Sequence, residues 1–429
     1  MRVGDEMHAW ARELFPICRS LTGEGVRQTL RFLAHLVPNL TIYEVPSGTI
    51  AFDWVVPDEW NIREAWFEDQ RGRRVVDFAH HNLHVVGYSE PVDCWLELDE
   101  LQAHLHSLPA QPNAIPYVTS YYRRNWGFCM RHDDRERLTP GRYRVRIDAT
   151  LAAGHLTYGE LLLPGLSADE VIFSTYVCHP SLANNELSGP VVTTALARWL
   201  ASAPRRLSYR IVFVPENIGS NVYLSRNLAE MKARTIAGYV VTCVGDDRAY
   251  SLLTSRRGNT LADRVARHVL RHHAGSFDEY NYLWPNRGSD ERNYCSPGVD
   301  LPVASIMRSK YGCYPEYHTS LDDLELISPE GLDGALEALK KCVLVLEGNR
   351  RWKTTVLGEP RLGPRGLYPT INTKHGGYEA ELTLLMNVLA YSDGEHDLVA
   401  LAERIGASAL DCLPIIARLE QEHLLEPVA

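Results

Sequence analysis

The sequence predicts an α/β protein whose largely parallel sheet is covered by helices on both faces. Three observations support this fold class. Strand-like apolar runs alternate with helix-like segments between residues 159 and 348, as in strand–helix–strand units. The chain has 429 residues, enough for two or three domains with separate cores. The pattern of apolar and polar residues also changes on both sides of this region, which indicates additional structural units.

The chain is expected to begin with two amphipathic helices between Met7 and Leu36, broken around the sequence PICRSLTGEG. From Tyr43 to Ile147, short alternating runs such as TIAFDWVV and YRVRI are separated by Pro, Gly and Asp turns. This pattern is typical of a mostly antiparallel β unit. We interpret the unit as an insertion into the α/β domain, because the apolar faces of the preceding helices need a sheet to cover.

An inserted unit of this kind is expected to form a wall or lid over a cleft. Its candidate contacts to substrate or to a second subunit are Tyr121, Tyr122, Arg123 and Trp126. Ordinary hydrophobic closure is the alternative explanation for these aromatic residues.

Four strands and four helices are predicted in the α/β region. The strands are VIFSTYV, YRIVFVP, AGYVVTCV and LPVASIM, and the helices are VVTTALARWLA, NVYLSRNLAEMKA, LADRVARHVLRHH and PEGLDGALEALKKCVLVLEG. Sites in such sheets form beyond the carboxyl ends of the strands. The predicted domains are residues 1–42 with 148–352 for the α/β domain and residues 43–147 for the insertion.

The last part of the chain indicates a linker at residues 353–378 and a winged helix-turn-helix unit at residues 379–429. Between Glu379 and Ala429 the only cations are Arg404 and Arg418, against ten acids. A helix that reads DNA needs Lys and Arg to neutralise phosphates. We therefore assign this unit to protein contact or self-association, and expect a homo-oligomer formed through it or through the insertion.

Composition limits the functional classes further. The formal net charge of −10 argues against a nucleic-acid partner. The nine cysteines include no CxxC pair, which indicates reduced thiols. No apolar run is long enough to span a bilayer, and the N-terminus lacks the features of a signal peptide. A cytoplasmic protein without a membrane partner is expected.

Several candidate metal ligands follow separate segments of the α/β region. They are His179, Glu216, Asp246 with Asp247, and His318. Each has an ordinary explanation when it is considered alone: a hydrogen-bonded structural histidine, a charge at a helix N-terminus, or a capping residue. Together they supply the nitrogen and oxygen donors that zinc binds when separate loops converge.

At these motifs the chain resembles the aminopeptidase-like zinc hydrolases with co-catalytic metal sites (the M28-like fold). The similar stretches are CHPSLANNELSG, PENIGS, GSDERNY and YHTSLDD. Further stretches, among them PICRSLTGEGVRQTL and GEPRLGPRGLYPT, are similar to a bacterial subfamily that combines this domain with an inserted β domain and a C-terminal winged helix. That subfamily is often encoded beside polysaccharide or secondary-metabolite genes.

The resemblance implies roles for individual residues. His179 corresponds to a ligand of one metal, Glu216 to the ligand or general base, and His318 to a ligand of the second metal. Asp246 corresponds to the third-strand aspartate, a few residues beyond the usual place. PENIGS has one acid where many relatives have a Glu-Glu pair, so base and ligand are not both glutamates of this loop.

Asn185 stands where the family has an aspartate that bridges two zinc ions. An amide offers one neutral oxygen donor and an NH2 group that does not bind a cation. Glu186 is the neighbouring carboxylate that would have to replace it. Three states remain open: one zinc ion, a rebuilt pair of ions that uses Glu186, or an inactive site that still binds its ligand.

The candidates for substrate binding are Asn185, Arg292, Arg308, Tyr314 and Tyr317. Arginine pairs with carboxylates or phosphates, and a tyrosine hydroxyl can donate to a tetrahedral oxyanion. Arg19, Arg287 and Lys310 also lie in or beside the motifs.

The function expected from the resemblance is zinc-dependent hydrolysis of an amide or peptide-like bond in a small substrate, in polysaccharide or secondary-metabolite biosynthesis. The alternative is a catalytically altered or inactive member of the family that acts as a ligand-binding or scaffold protein.

Overall fold

The computed structural model describes residues 2–121, 123–368 and 377–428. The candidate contact Tyr122 and the linker residues 369–376 lie outside the described residues. The described chain forms two compact units. The first runs to Ala262 and continues from Asp278 to Leu336, and the second comprises Asp263–Phe277 and the residues from Glu337 onwards. The domain boundaries expected from the sequence remain predictions.

The α-helices, in chain order, are α1 (Val3–Leu14), α2 (Glu24–Leu36), α3 (Leu98–Gln102), α4 (His132–Glu136), α5 (Ser188–Ala201), α6 (Ile218–Arg234), α7 (Leu261–Ala274), α8 (Glu291–Tyr294), α9 (Pro329–Gly348), α10 (Gly377–Tyr391), α11 (Leu398–Ile405) and α12 (Ala409–Gln421). The described chain also has short 3₁₀ turns at Asn82–His84 and Gly363–Arg365 and one π-helical turn at Ala183–Leu187.

The strands are β1 (Thr41–Pro46), β2 (Ile50–Ala51), β3 (Trp54–Val55), β4 (Glu59–Asp69), β5 (Arg74–Asp77), β6 (Val92–Glu97), β7 (Leu105–His106), β8 (Phe128–Cys129), β9 (Arg142–Ala152), β10 (His155–Leu163), β11 (Glu170–Tyr176), β12 (Ser208–Val214), β13 (Thr235–Val241), β14 (Ser251–Leu253), β15 (Asp278–Tyr280), β16 (Val303–Met307), β17 (Arg351–Thr354), β18 (Asp393–Asp397) and β19 (Leu425–Pro427).

An eight-stranded sheet forms the centre of the first unit, in the order β1-β10-β12-β11-β13-β16-β14-β15. The four central strands β12, β11, β13 and β16 run parallel. The pairs β1–β10, β10–β12 and β14–β16 are antiparallel, and β15 pairs parallel with β14. Every residue of β11 and β16 is buried, as the apolar runs in the sequence predict for strands covered on both faces. The predicted α/β fold is confirmed.

The helix pair expected near the N-terminus is present as α1 and α2. Helix α1 buries Met7, Trp10, Ala11 and Leu14, which recur at the spacing of one helical face. Helix α2 buries Val26, Leu30 and Leu33 in the same way. Both helices therefore have the buried apolar face that the sequence pattern predicts.

The chain leaves the large sheet after β1 and returns to it at β10, which pairs antiparallel with β1. The residues between them build a four-stranded antiparallel sheet in the order β5-β4-β9-β6 and two small strand pairs. Phe67 packs edge-on against Phe128 and Tyr143 in this region. Tyr43 lies in β1, which belongs to the large sheet, and β9 continues beyond Ile147 to Ala152. A strand therefore crosses each end of the range 43–147 that was expected for the insertion.

In the second unit, β17, β18 and β19 form an antiparallel sheet beside α10, α11 and α12. The side chain of Asp397 accepts from Ala400 N at 2.9 Å and caps α11. Ser408 caps α12 by accepting from Leu410 N. Three helices with a small sheet form the winged-helix arrangement that the sequence predicts.

Within the described part of the chain, none of the helices combines the length and the apolar character that a membrane span requires.

Candidate active site

The candidate site begins where two parallel strands end side by side. Tyr176, the last residue of β11, is in register with Val214, the last residue of β12. His179 and Glu216 follow these strand ends by three and two residues. The parallel pairing therefore brings the two side chains together, and Nε2 of His179 lies 3.7 Å from Oε2 of Glu216.

His318 reaches the same place from the loop after β16. Its ring centroid lies 5.5 Å from that of His179. The His318 backbone has a φ of 56°, which is uncommon for a residue other than glycine. Tyr117 N donates to His318 O at 2.9 Å, and Ser320 N donates to Ile115 O at 2.9 Å, so the inserted β unit holds this loop.

These three side chains line one cavity of about 520 Å³. Half of its wall comes from the segment between β2 and Tyr121, and the rest comes from the N-terminal segment and the strand ends. The lining residues are Leu21, Asp53, Trp54, Val55, Pro57, Tyr117, Thr119, Tyr121, Cys178, His179, Glu216, Asn217, Ile218 and His318. A cavity of this size suits a small molecule.

Glu186 and Arg19 lie behind His179. Nδ1 of His179 is 2.9 Å from Glu186 Oε2, and Arg19 Nε donates to His179 O at 3.0 Å. Arg19 Nε is also 3.5 Å from Glu186 Oε1. Burial lowers the pKa of His179 to about 3, with a further contribution from Arg19, and burial raises the pKa of Glu186 to about 8. The imidazole is therefore neutral, and when Nδ1 donates to Glu186 the lone pair of Nε2 is on the cavity side.

Glu216 is held by the turn that leads into α6. Its amide donates to Cys178 Sγ at 3.2 Å. The next residue, Asn217, has a φ of 64°, and its amide donates to Asp290 Oδ1 at 2.7 Å. Burial raises the pKa of Glu216 to about 8, and the charge of Asp290 adds to this effect. A carboxyl group with such a pKa exchanges its proton near neutral pH.

The two asparagines before Glu186 lie in the π-helical turn Ala183–Leu187, and both are buried. Asp322 accepts from the amides of Asn184 and Asn185 at 2.5 and 2.9 Å. Asn184 Nδ2 donates to Asp246 Oδ2 at 2.9 Å. Asn185 Nδ2 donates to Tyr176 OH at 3.0 Å, whereas its buried Oδ1 has no hydrogen-bond partner among the described residues. Turns of this kind are frequent at functional sites.

The structure does not bring Asp246 to the cavity. Its Oδ1 accepts from Arg248 N and Ser309 Oγ, and its Oδ2 accepts from Asn184 Nδ2 and Ser309 N. Both carboxylate oxygens are thus used to join three loops. Asp246 is therefore outside the described lining of the cavity, and its role as a metal ligand stays a prediction.

The expected substrate-binding residues also take other positions, and Asn185, Arg292, Arg308, Tyr314 and Tyr317 are absent from the described lining of the cavity. Arg292 Nε donates to Asn217 Oδ1 at 2.7 Å, and the Arg308 guanidinium lies 4.0 Å from the Tyr250 ring centroid. Tyr314 OH donates to Asp322 Oδ2 at 3.1 Å. Tyr317 stacks on His318 with ring centroids 3.9 Å apart.

The cavity also contains residues that the sequence motifs did not single out. Tyr117 packs against both His179 and His318, each at a centroid distance of 5.1 Å, and its hydroxyl lies 2.9 Å from Tyr121 OH. Tyr121 is a candidate from the sequence that does line the cavity, whereas Trp126 stacks on His104 with ring centroids 3.6 Å apart. Tyr117 belongs to the aromatic-rich stretch IPYVTSYY, and this richness in tyrosine is the signal in the sequence that could indicate it.

Two groups of side chains have the chemistry to hold a metal. The ligand atoms of Cys178, His179 and Glu186 lie within 4.8 Å of one another. In this group His179 Nδ1 is already bonded to Glu186, and burial holds the pKa of the Cys178 thiol well above its usual range. The neighbouring Arg19 cation also disfavours an ion there. We therefore assign this first group to holding the His179 side chain in place, and not to binding a metal ion.

The second group faces the cavity. It consists of His179 Nε2, His318 and Glu216, with the unpartnered Oδ1 of Asn185 in the adjacent turn. Two ligand atoms that are each about 2.1 Å from one zinc ion lie at most about 4.2 Å apart. The 3.7 Å between His179 Nε2 and Glu216 Oε2 meets this limit. His179 Nε2 and Glu216 Oε2 are therefore spaced for one zinc ion, and the ring centroid of His318 lies 5.5 Å from that of His179.

Residues 8–349 match the family described as a domain of unknown function (DUF4910). The chain belongs to this family. The DUF4910 region is followed by a match to the winged helix-turn-helix family at residues 350–427. A relative from Clostridium acetobutylicum, provisionally named a polysaccharide biosynthesis protein with an aminopeptidase-like domain, is 40% identical over 407 residues, which cover 94% of this chain and 92% of the relative.

Solved structures of similar proteins identify the fold. A crystal structure of a provisionally named peptidase from Clostridium acetobutylicum has a TM-score of 0.92 at 38% identity and covers 99% of this chain and 96% of its own. The zinc aminopeptidase BSAP from Bacillus subtilis has a TM-score of 0.58 at 14% identity, with coverage of 79% and 94%. The fold is therefore the aminopeptidase-like fold that the sequence motifs indicate.

Proposed function

We propose that the chain is a zinc-dependent hydrolase that cleaves an amide or peptide-like bond in a small substrate. The observation that carries this proposal is the convergence of His179 Nε2, Glu216 and His318 on one cavity in an aminopeptidase-like fold. The name of the Clostridium acetobutylicum relative supports a role in polysaccharide biosynthesis.

In this proposal His179 and His318, which both line the cavity, would hold one zinc ion. A zinc ion in such a site polarises a carbonyl and lowers the pKa of a water molecule towards about 7. Glu216 accepts the proton of the attacking water and delivers it to the nitrogen of the leaving group. Glu186 and Arg19 hold the His179 ring and backbone, and the wall formed by Tyr117 and Tyr121 limits access of bulk water.

Metal content and amide hydrolysis test the proposal together. Protein purified without chelator is expected to contain about one equivalent of zinc, and chelated protein is expected to bind added zinc in calorimetry. A panel of aminoacyl and N-acetyl amides, assayed before and after chelation, tests activity. Less than about half an equivalent of metal together with no binding of added zinc would contradict the proposal.

Asn185 favours a second candidate function, a binding protein without catalysis. An amide at this position removes a negative charge that would help to hold metal, and its NH2 group is bound to Tyr176 OH. The variant Asn185→Asp separates the two functions. A new amidase activity together with a second zinc equivalent would support the binding protein, whereas loss of an existing wild-type activity would support the hydrolase.

A further inference from the structure

The inserted β unit meets the loop that carries His318 through one short stretch of backbone, residues 111–117, which we call the clamp segment. Pro116 of this segment forms an antiparallel bridge with Thr319, and Tyr117 N donates to His318 O at 2.9 Å. The φ of 56° at His318 is costly for a residue other than glycine, so this backbone needs support from its surroundings. The clamp segment supplies that support.

Ser320 adds a side-chain bond to this backbone pairing. Its Oγ accepts from Ile115 N at 3.0 Å, and its own amide donates to Ile115 O at 2.9 Å. Because Ile115 is only 7% exposed, its amide would be left without a partner and largely away from water if the Ser320 hydroxyl were removed. Ser320 is absent from the described lining of the cavity. A change at Ser320 therefore acts on the pairing and not on a group that faces the cavity.

The insertion also reaches the loop that follows His179. Asn82 Nδ2 donates to Ser181 Oγ at 2.8 Å, and Ser181 has a φ of 44°. The next residue, Leu182, is fully buried in a small hydrophobic cluster. The other buried members of this cluster all come from the insertion and are Leu83, Val86, Ile115 and Cys129. The insertion thus holds the loops of both histidines.

Tyr117 connects the two sides. Its ring centroid lies 5.1 Å from the ring centroids of both His179 and His318. Its hydroxyl lies 2.9 Å from Tyr121 OH, which restrains the direction of the ring. A shift of the clamp segment therefore changes the space between the two imidazoles. Zinc tolerates little change in that space, because its nitrogen ligands lie at about 2.0–2.1 Å from the ion.

We propose that the inserted β unit is part of the metal centre, because its contacts set the spacing of His179 and His318. Ser320, which anchors the His318 loop to the clamp segment, and Asn82, which holds the His179 loop, are positioning residues for zinc. This inference rests on the proposed zinc site and adds to it a dependence on residues outside the described cavity lining. Since coupling between two equilibria is reciprocal, zinc in turn stabilises the pairing of the clamp segment.

The zinc affinity of full-length variants tests the inference without a substrate. Ser320→Ala is expected to weaken zinc binding by about three- to tenfold, the factor that the loss of one hydrogen bond can give. Ser320→Thr keeps a hydroxyl and is expected to restore the wild-type affinity. Asn82→Ala removes the bond to Ser181 and is expected to weaken zinc binding in the same range as Ser320→Ala. Competition with a chromogenic chelator measures all four proteins.

The matched control is Ser89→Ala. Ser89 Oγ accepts from Gly127 N at 3.2 Å, a bond of the same kind that joins two segments of the insertion to each other. This variant is expected to lower the urea midpoint as Ser320→Ala does, while its zinc affinity stays within about twofold of the wild type. Equal losses of zinc affinity in the Ser89 and Ser320 variants would show a general loss of stability and overturn the inference.

Hydrogen exchange gives a second measurement. Added zinc is expected to slow amide exchange in a peptide of residues 111–121 of the wild type, and to slow it less in Ser320→Ala. A peptide of residues 142–152, which covers β9 of the insertion, is expected to exchange equally with and without zinc. Unchanged exchange of residues 111–121, or unchanged zinc affinity in Ser320→Ala, would overturn this inference alone. Absence of zinc binding by the wild type would contradict the proposed function and this inference with it.

Discussion

Nδ1 of His179 lies 2.9 Å from Oε2 of Glu186, and both residues are buried. A carboxylate in this position fixes the tautomer of a metal-binding histidine and raises the basicity of its other nitrogen. The structure therefore places Glu186 behind the ring, where the sequence suggested a replacement for a bridging ligand. Glu186 therefore does not supply to the cavity the negative charge that an aspartate at position 185 would have.

Replacing Glu186 by glutamine is expected to weaken zinc binding by about tenfold, because it changes the hydrogen-bond partner that fixes the tautomer and orientation of the His179 ring. Competition with a chromogenic chelator measures the affinity, and circular dichroism checks the fold. The matched control is Asp246→Asn, a buried acid outside the cavity wall, which is expected to lower stability while zinc affinity stays within about twofold. Equal losses of zinc affinity in both variants would contradict these assignments.

Replacing Glu216 by glutamine is expected to lower kcat by about 10² to 10⁴, the range observed when a general base is lost. Zinc content is expected to remain near that of the wild type, because the proposal assigns the metal to His179 and His318. Steady-state kinetics on an amide cleaved by the wild type and metal analysis of the same sample measure the two effects. Loss of zinc in this variant would show that Glu216 is a ligand instead.

The pairing of His179 with Glu216 could be predicted because it depends on strand order alone. Each residue follows an apolar strand closely, and the carboxyl ends of neighbouring parallel strands meet at one edge of the sheet. Asp246 follows β13 in the same way, and its sequence context looks equivalent. Its oxygens are taken by Asn184 and Ser309, a tertiary arrangement that no local pattern reveals.

Tyr117 illustrates the other limit of sequence reasoning. It belongs to the inserted β unit, and its amide bonds to the carbonyl oxygen of His318, which is 201 residues further along the chain. Aromatic residues in loops serve hydrophobic closure as often as ligand contact. The fold class and the identity of the strands followed from periodicity, but the composition of the cavity wall depends on how the insertion folds back.

Replacing Arg210 by methionine is expected to lower the free energy of unfolding by about 3–5 kcal/mol. The buried guanidinium lies 2.7 Å from Glu170 Oε1 and 3.1 Å from Glu160 Oε1, and it also bonds to Tyr223 OH. The variant leaves two largely buried carboxylates without their cation. Urea denaturation followed by circular dichroism measures the loss.

The control for Arg210 is Arg63→Met. Arg63 pairs with Asp148 at 2.7 Å, but 76% of its side chain is exposed, so a loss below about 1 kcal/mol is expected. Recovery of stability when Glu160 and Glu170 are also replaced by glutamine would support the stated cause. A loss near that of the Arg63 variant would mean that water reaches the Arg210 cluster.

Acid stability is expected to depend on Glu59. Its carboxylate bonds to Arg27 at 2.5 and 3.1 Å, to Asn61 Nδ2 at 2.9 Å and to His155 N at 2.9 Å. The Arg27 hydrogen bond is the main cause that lowers the pKa of Glu59 from 4.5 to about 2. Because the folded pKa is depressed, the stabilisation is complete well above pH 4.5 and is lost as the pH falls towards 2.

The variant Glu59→Gln is therefore expected to be less stable than the wild type by about 1–2 kcal/mol at pH 7, after allowance for solvent screening of the pair. The difference is expected to shrink between pH 4.5 and pH 2, where the wild-type carboxylate becomes protonated. Urea midpoints measured at several pH values test this, with Glu136→Gln, whose side chain is 72% exposed, as the control. The control is expected to stay within about 0.5 kcal/mol of the wild type throughout. A difference between Glu59→Gln and wild type that grows on acidification would show that the sign of the Glu59 contribution is wrong.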